Sequence, residues 1–263
     1  TVPHGNKELV DVLAEILKSG KTAGGSVNFD PLGNLTISGS TCVPVEELLD
    51  DAAQMVQKGS ELPGFQTLSV NAKHFNNAGS SIVQELGFGL AMGNEYLAEL
   101  TSRDQKVDDL ANRIRFNFGI SGNYFMEIAK LRAARMLWAK IVDAYNPADK
   151  EVSKMKTHCE TSEWNKTIYD PYVNMLRTQT EAMSATIGGT DSLTVAPFDK
   201  VFRHPGQFSE RIARNQQLLL KEEAYFGKIT DPSAGSYYIE NLTHSIANEA
   251  WKLFLEVEEK GGY

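Results

Sequence analysis

Short apolar runs alternate with longer stretches of helical periodicity along this chain. Apolar residues that recur every three or four positions indicate amphipathic helices, and short runs between turn residues indicate strands. The pattern predicts strands over residues 26–29, 65–71, 114–118, 154–158 and 193–195. It predicts helices over residues 7–18, 44–59, 79–100, 107–111, 123–145, 172–185, 208–223 and 246–257, with turns at 30–34 and 231–235.

The alternation of strands and helices is typical of a parallel sheet with crossover helices, so we expect an α/β fold. A closed α/β barrel has eight strands, whereas only about five are predicted here. The chain begins with Thr1 rather than Met, and we therefore expect a fragment or a processed chain.

The helix predicted over residues 123–145 has the clearest amphipathic pattern, because its apolar positions recur on one face. We expect the following side chains on this face to be buried: Phe125, Ile128, Met136 and Leu137. Lys140 and Asp143 should be exposed.

Composition narrows the class of protein. The chain is 41% hydrophobic and 23% charged, which is typical of a soluble globular protein. It contains no apolar run of roughly 18 residues and no secretory signal, so we expect no membrane association. Cys42 and Cys159 are too few for a disulfide scaffold, which favours the cytoplasm.

The net charge of −8 disfavours nucleic-acid binding. It also means that an anionic ligand of the CoA type would need a local cluster of Lys and Arg. Neither C-x-x-C nor H-E-x-x-H occurs in the chain, and we expect no metal site.

Three segments are distinctive in their order of residues: 119–140 (GISGNYFMEIAKLRAARMLWAK), 209–215 (SERIARN) and 231–240 (DPSAGSYYIE). Together they resemble the acyl-CoA mutases that use adenosylcobalamin, and specifically the methylmalonyl-CoA mutase family. Long ordered matches of this kind are specific, unlike a short glycine-rich motif. The resemblance extends from about residue 26 to the end of the chain.

The resemblance implies an isomerase fold in which CoA runs along the axis of a TIM-type (β/α)8 barrel and cobalamin lies across one end. Residues 1–241 would then be the later portion of the barrel. Residues 242–263 would form an extra helix leading towards a linker and a cobalamin-type domain. Functional groups should lie at the carboxyl ends of the strands.

His74 lies in AKHFNNAG, which is similar to the family pattern G-Y-H-M-Q-E-A-G. The family histidine donates to the thioester carbonyl, but Asn76 replaces the family glutamine. We favour a structural histidine that is bonded to backbone. Arg113 matches an arginine of the catalytic pocket, where it could bind CoA or a substrate carboxylate. It could equally form a structural ion pair.

The segment KTHCETSEW is similar to the family form R-T-H-x-Q-T-S-G-W. His158 is retained, while Glu160 and Glu163 replace glutamine and glycine. A carboxylate at position 160 should repel corrin side chains or a substrate acid. His158 and Glu160 could form an acid/base pair, but we favour a salt-linked pair at a subunit contact.

The segment GGTDSLTVAPFDK is similar to the family form G-G-T-Q-S-L-H-T-N-x-x-D-E, whose residues hold the corrin edge. Asp191, Ala196 and Lys200 replace glutamine, asparagine and glutamate, which leaves few groups to bind a corrin. Gly188 and Gly189 could cradle a phosphate, but we favour a turn that leads into a strand.

The departures from the family pattern fall at the pocket, while the scaffold segments match. A small mutase subunit has this character, and the resemblance then implies a large catalytic subunit as its partner in a heterodimer. We expect no catalytic or cofactor-binding residue here, only weak binding of a CoA ester, and adenosylcobalamin in the holoenzyme rather than on this chain. The alternative is a competent mutase chain with altered substrate preference, in which His74, Arg113 and His158 act.

Overall fold

The structure, a computed structural model, describes residues 25–60, 62 and 64–263. The helix predicted over residues 7–18 lies outside these residues. The strands are β1 (Gly25–Ser26), β2 (Phe65–Gln66), β3 (Leu68–Val70), β4 (Ile114–Ile120), β5 (Lys156–Thr161) and β6 (Ser192–Thr194).

Nine α-helices occur among the described residues. They are α1 (Pro31–Ser38), α2 (Val45–Gly59), α3 (Lys73–Asn77), α4 (Ile82–Thr101), α5 (Val107–Ala111), α6 (Tyr124–Ala144), α7 (Val173–Ile187), α8 (Gln207–Glu222) and α9 (Tyr237–Glu259). Short 3-10 helices span Lys150–Ser153 and Phe226–Lys228. None of the described helices is long and apolar enough to cross a bilayer.

All strand pairs in the described chain are parallel. The strand order is β1-β2 in one sheet and β3-β4-β5-β6 in the other. The Val27 amide donates to the Gln66 carbonyl and the Ser69 amide donates to the Phe29 carbonyl, so the segment after β1 runs beside both β2 and β3. Helices connect successive strands of the larger sheet. The predicted α/β fold with parallel strands and crossover helices is therefore confirmed.

The core lies between this sheet and helices α4 and α6, and α9 packs against these two helices. Alternate residues of β4 point to opposite faces, and Phe116 and Phe118 point towards the helices. The Phe116 ring lies 4.7 Å from Trp138 of α6, and both side chains are buried. A Cβ at Gly93 of α4 would come within 2.6 Å of Phe116, so this glycine allows the helix to approach the sheet. We call the other side of the sheet, which carries Arg115 and Asn117, the opposite face.

The turn predicted at residues 30–34 is wrong, because α1 begins at Pro31. Proline suits the first turn of a helix, where no amide donor is needed. The Asp30 carboxylate caps the helix by accepting a hydrogen bond from the Gly33 amide at 2.9 Å. The same residue types that favour a turn also start a helix. The strand predicted over residues 154–158 instead spans Lys156–Thr161, after a 3-10 helix.

The burial predicted for α6 is half correct. Ile128 and Leu137 are buried, and Lys140 and Asp143 are exposed, as expected. Phe125 is 51% exposed and Met136 is 43% exposed, so these two predictions are wrong. The helix directs other side chains to the core, including Ala134 and Trp138. Phe125 in the first turn instead packs edge-on against the exposed Tyr238 ring, with centroids 5.7 Å apart.

Candidate functional site

The carboxyl ends of parallel strands meet at one side of a sheet, which we call the carboxyl edge. Helix α3 follows β3 directly and brings His74 and Asn76 to this edge. Glu160 lies at the end of β5, and Ala196 and Lys200 follow β6. Five of the predicted site residues therefore come from the ends of β3, β5 and β6, at the same edge of the sheet.

Four charged side chains form a network across the carboxyl edge, which we call the edge ion-pair network. The Lys73 Nζ lies 2.5 Å from Glu160 Oε2, and the Lys200 Nζ lies 3.1 Å from Glu160 Oε1. Lys200 also lies 2.5 Å from Glu163 Oε1. The network joins the end of β3 to the loops that follow β5 and β6.

Burial by itself would raise the pKa of Glu160, but Lys73 and Lys200 outweigh it and hold the pKa below its ordinary value. Glu160 is therefore an ionised carboxylate with two cationic partners. This changes the predicted effect of Glu160 on an incoming acid, because the two lysines offset its charge.

His158 is engaged by hydroxyl groups of the neighbouring strand. Its Nδ1 lies 2.8 Å from Ser192 Oγ and its Nε2 lies 3.2 Å from Thr194 Oγ1. The predicted pairing of His158 with Glu160, either as an acid/base pair or as a salt link, is wrong, because Glu160 binds the two lysines instead. The pKa of His158 is lowered to about 4, mainly by burial and in addition by the nearby Arg115 cation. The imidazole is therefore neutral near pH 7.

Replacing His158 by glutamine should remove a pH-dependent part of the stability. The folded-state pKa lies below the ordinary value, so the neutral imidazole contributes stability above about pH 6.5 that is lost as the pH falls towards about 4. The unfolding free energy of the unmodified protein should therefore fall towards that of His158→Gln over this range. Urea unfolding at a series of pH values measures the difference, with the exposed His204→Gln as the matched control. A difference between unmodified protein and variant that does not change with pH would contradict the assignment.

His74 differs from His158 in having no hydrogen-bond partner for its imidazole among the described residues. Burial lowers its pKa, and the adjacent Lys73 adds to this effect. The bond to backbone that we expected for a structural histidine is not found, so that prediction is wrong. The half-buried ring is a neutral group at the carboxyl edge whose nitrogens remain available.

Asn76 is buried and packs against the backbone of β4 rather than lining an open pocket. A Cβ at Gly119 would lie 2.5 Å from the Asn76 side chain. The Asn76 Nδ2 donates to Glu85 Oε2 at 3.2 Å. Asn76 is therefore part of the wall behind the carboxyl edge.

Behind Asn76 lies a group of three fully buried charged side chains, which we call the buried charge cluster. The Lys130 Nζ lies 2.6 Å from Glu85 Oε2 and 2.6 Å from Glu127 Oε2. Lys130 also donates to the Gly119 carbonyl at 2.6 Å, and the Gly119 amide donates to Glu85 Oε1 at 2.7 Å. The sequence analysis did not predict this cluster. The available signal was the pair Glu127 and Lys130, which lie three residues apart inside the apolar helix 123–145.

Two predicted site residues lie at the other, amino end of the sheet. Arg113 precedes β4 and donates to the carbonyls of Leu62 and Phe65 at 2.8 and 2.9 Å. Arg113 therefore holds the backbone around Leu62 and Phe65 through carbonyl groups. This contact is not the ion pair that was one of the two alternatives for Arg113. Asp191 precedes β6, and its Oδ2 accepts hydrogen bonds from the Thr157 amide at 2.7 Å and the Thr157 hydroxyl at 3.0 Å. Asp191 and Glu160 therefore do not face a common ligand.

At the end of β6 the backbone polar groups are already paired. The Ala196 amide donates to Thr161 Oγ1 at 2.9 Å. Gly189 has a φ of 80° and leads from α7 towards β6. This geometry is that of a turn.

An amide cluster on the opposite face was also not predicted. The Asn117 Nδ2 donates to Asn71 Oδ1 at 2.7 Å and to Asn28 Oδ1 at 3.1 Å. The Asn71 side chain in turn donates to Asp30 Oδ2 at 2.9 Å. These contacts link the segment after β1 to the residue after β3 and to β4. Within the described residues, no group of three or more His, Cys, Asp or Glu side chains could hold a metal ion.

Comparison with known proteins gives consistent matches over nearly the whole chain. The family model described as methylmalonyl-CoA mutase matches residues 12–263. The methylmalonyl-CoA mutase small subunit of Porphyromonas gingivalis is 54% identical over 240 residues, which cover 91% of this chain and 38% of that protein. The methylmalonyl-CoA mutase of Rhizobium meliloti is 40% identical over 265 residues, which cover 98% of this chain and 37% of that protein.

The mitochondrial methylmalonyl-CoA mutase of Homo sapiens is 35% identical over 266 residues, which cover 98% of this chain and 36% of that protein. The chain thus spans less than two fifths of the length of these relatives. The extent and identity of the matches establish that this chain belongs to the methylmalonyl-CoA mutase family.

Proposed function

We propose that this chain is part of the small subunit of a methylmalonyl-CoA mutase, an isomerase that interconverts succinyl-CoA and methylmalonyl-CoA by radical rearrangement. The name and the 54% identity of the Porphyromonas gingivalis relative support this assignment. Its partner is a large catalytic subunit, and the heterodimer works in the cytoplasm.

The described strands fit the later portion of a (β/α)8 barrel. Parallel strands joined by crossover helices support this architecture. In this proposal residues 1–241 belong to the barrel, and residues 242–263 form a helix that leads towards a linker and a cobalamin-type domain.

The observation that carries a non-catalytic role is the edge ion-pair network. A corrin bound across the strand ends would have to separate Glu160 from Lys73 and Lys200, and unpaired charges in a partly buried site are costly. The Ala196 amide is already bonded, and its side chain offers no polar group. The residues at this edge therefore do not fit adenosylcobalamin, and we assign the cofactor of the holoenzyme to the large subunit.

A competent mutase chain remains the second candidate, and one observation favours it. The His74 imidazole has no partner among the described residues, although it lies at the carboxyl edge. An unengaged donor at that position could serve a thioester carbonyl. His158, with both nitrogens bonded, is less suited to act on a substrate.

The test is turnover of the heterodimer with altered small subunits. His74→Ala and His158→Ala in the full-length small subunit should leave the turnover number within about twofold of the unmodified enzyme, because in this proposal the reaction takes place on the large subunit. His204→Ala, at an exposed position, is the control. The full-length small subunit alone should show no turnover and no micromolar binding of adenosylcobalamin.

Assembly has to be measured beside activity, by sedimentation of the same samples. A drop of about a hundredfold in turnover number for either variant, with an intact heterodimer, would favour the second candidate. Micromolar cobalamin binding by the isolated subunit would also contradict the proposal.

A further inference from the structure

Helices α6 and α9 begin side by side, and their first turns carry exposed aromatic residues. Phe125 in α6 is 51% exposed, and Tyr237 and Tyr238 in α9 are 89% and 58% exposed. The Phe125 and Tyr238 rings lie edge to face with centroids 5.7 Å apart, so the two helix starts form one surface. Met126, which follows Phe125, is 36% exposed and extends this surface. We call these four residues the aromatic patch.

Charged contacts hold the two helix starts in place. The Arg132 guanidinium of α6 lies 2.8 Å from Glu240 Oε1 in the first turn of α9 and 3.3 Å from Asp231 Oδ2 in the loop before it. At the start of α6, Glu127 Oε1 accepts hydrogen bonds from the amide and the hydroxyl of Ser121. The aromatic rings therefore extend from fixed helix ends, which lowers the conformational entropy lost when a partner binds.

The aromatic patch has the composition of the centre of a protein interface, where Tyr, Phe and Met are enriched and charged residues are depleted. In the first turns of the two helices the charged residues are Glu127 and Glu240. Glu127 is fully buried, and Glu240 is paired with Arg132. In the described part of the chain the hydroxyls of Tyr237 and Tyr238 make no hydrogen bond, so both can bond to a partner.

The size of the patch also suits the centre of an interface. An aromatic side chain buries roughly 150–250 Å² in a protein interior, so the exposed parts of the patch amount to roughly 400 Å². The largest apolar patch on a typical monomer is roughly 300–600 Å² and is often functional. The patch would supply about half of the roughly 800 Å² that each partner contributes to a stable complex.

Two other partners for the patch are less favourable. A second copy would bring together two chains that each carry a net charge of −8, and like charge opposes such association. Any chain that continues beyond Tyr263 would start at the far end of α9, whose 23 residues span about 35 Å. At that end Tyr263 contacts Thr36 and Phe75, which are not part of the patch.

We propose that the aromatic patch is buried against an apolar surface of the large subunit in the heterodimer, which rests on the proposed function because it requires a large subunit. Phe125 and Tyr238 then lie at the centre of the contact, where truncation of an aromatic residue has its largest effect. The same contact explains why the apolar pattern of α6 predicts burial of Phe125, although the ring is exposed in this chain.

Nitration by tetranitromethane tests the contact, because it modifies exposed tyrosine rings and needs no substitution. In the isolated full-length small subunit, Tyr237 and Tyr238 should be nitrated readily, as should the exposed control Tyr225. With the large subunit at about ten times the dissociation constant, nitration of Tyr237 and Tyr238 should slow about tenfold, since only unbound subunit reacts. The rate at Tyr225 should not change. Mass spectrometry of peptides measures each rate.

Substitution gives a second readout. Phe125→Ala and Tyr238→Ala in the full-length small subunit should each weaken heterodimer formation by at least about tenfold, as measured by sedimentation. At saturating concentrations the turnover number should stay within about twofold of the unmodified enzyme, because the patch only holds the subunits together. Leu255→Ala is the matched control and should assemble normally. Leu255 is 44% exposed on the same helix, about 25 Å from Tyr238.

The outcomes separate the large subunit from other partners. The inference is overturned if Tyr237 and Tyr238 react as fast in an intact heterodimer as in the isolated subunit, or if both folded variants assemble as Leu255→Ala does. Slow nitration in the monomeric small subunit would assign the patch to another part of the same chain, and slow nitration that requires small-subunit dimers would assign it to a second copy. Failure of the unmodified subunits to associate would refute the proposed function, and the inference with it.

Discussion

Replacing Lys130 by methionine is expected to lower the free energy of unfolding of the full-length protein by about 3–5 kcal/mol. Lys130 is the only cation of the buried charge cluster, and its ammonium contacts Glu85, Glu127 and the Gly119 carbonyl. Methionine fills a similar volume but supplies no charge. Two fully buried carboxylates would then face each other without a cation between them.

The loss should depend on pH. Burial raises the pKa of Glu85 to about 7, although Lys130 acts to lower it. A carboxyl group whose folded-state pKa is raised contributes stability that is present below about pH 4.5 and is lost as the pH rises through about 7. Without Lys130 this loss should be larger, so Lys130→Met should be more destabilising near pH 8 than near pH 5.

Urea unfolding at the two pH values measures this effect. Lys140→Met is the matched control, because Lys140 lies on the exposed side of the same helix, where its ammonium lies 3.8 Å from the centre of the Trp251 ring. That variant should lose no more than about 1 kcal/mol. Adding Glu85→Gln and Glu127→Gln to Lys130→Met should recover part of the loss. A loss below about 1 kcal/mol for Lys130→Met would show that the cluster is not a buried charged unit.

The second large effect is expected for Asp30→Ala, with a loss of about 3 kcal/mol in unfolding free energy. The buried carboxylate accepts four hydrogen bonds. Oδ1 accepts from the Gly33 amide at 2.9 Å and the Tyr96 hydroxyl at 2.6 Å, and Oδ2 accepts from the Asn71 amide at 2.8 Å and the Asn71 side chain at 2.9 Å. Alanine leaves the Gly33 amide, the Asn71 amide and the Tyr96 hydroxyl without this acceptor, while the Asn71 side chain keeps its hydrogen bond to Asn28 Oδ1 at 3.1 Å.

Tyr96→Phe removes a smaller part of the same hydrogen-bond network and is compared with Asp30→Ala. It removes one donor to Asp30 and the acceptor of the Leu32 amide, which lies 3.0 Å from the Tyr96 hydroxyl. We expect a loss of about 1–2 kcal/mol from that variant. Burial raises the pKa of Asp30, while the hydrogen bonds from Tyr96, Gly33 and Asn71 act to lower it. Equal effects of the two substitutions would mean that the carboxylate contributes little beyond its bond to the tyrosine.

The periodic pattern was sufficient to predict the order of the strands and of the longer helices, because buried strands and amphipathic helices differ in their spacing of apolar residues. It did not predict α1 or α3. It was insufficient at Asp30-Pro31, where capping and turn chemistry use the same residues. Phe125 was also predicted incorrectly, because periodicity does not show where along a helix the core ends.

The resemblance to the mutase family identified residues that the structure places on both ends of the sheet. His74 and Glu160 meet at the carboxyl edge, whereas Arg113 and Asp191 lie at the amino end. The contact between Lys73 and Glu160 joins residues 87 positions apart in the chain, and local sequence carries no signal for such a pair. The contact is seen only in the fold, where β3 and β5 lie on either side of β4 and end at the same edge of the sheet.

The contacts of Gly119 make the buried charge cluster depend on the register of β4 in the sheet. Its amide binds Glu85, its carbonyl binds Lys130, and its missing Cβ leaves room for Asn76. A shift of β4 by one residue would bring Phe118 or Ile120 to this point and would turn the strand over. Glu85 and Lys130 would then face a bulky apolar side chain instead of a peptide group. We therefore expect the cluster to disfavour a shifted register of β4, so that it contributes to the uniqueness of the folded state as well as to its free energy.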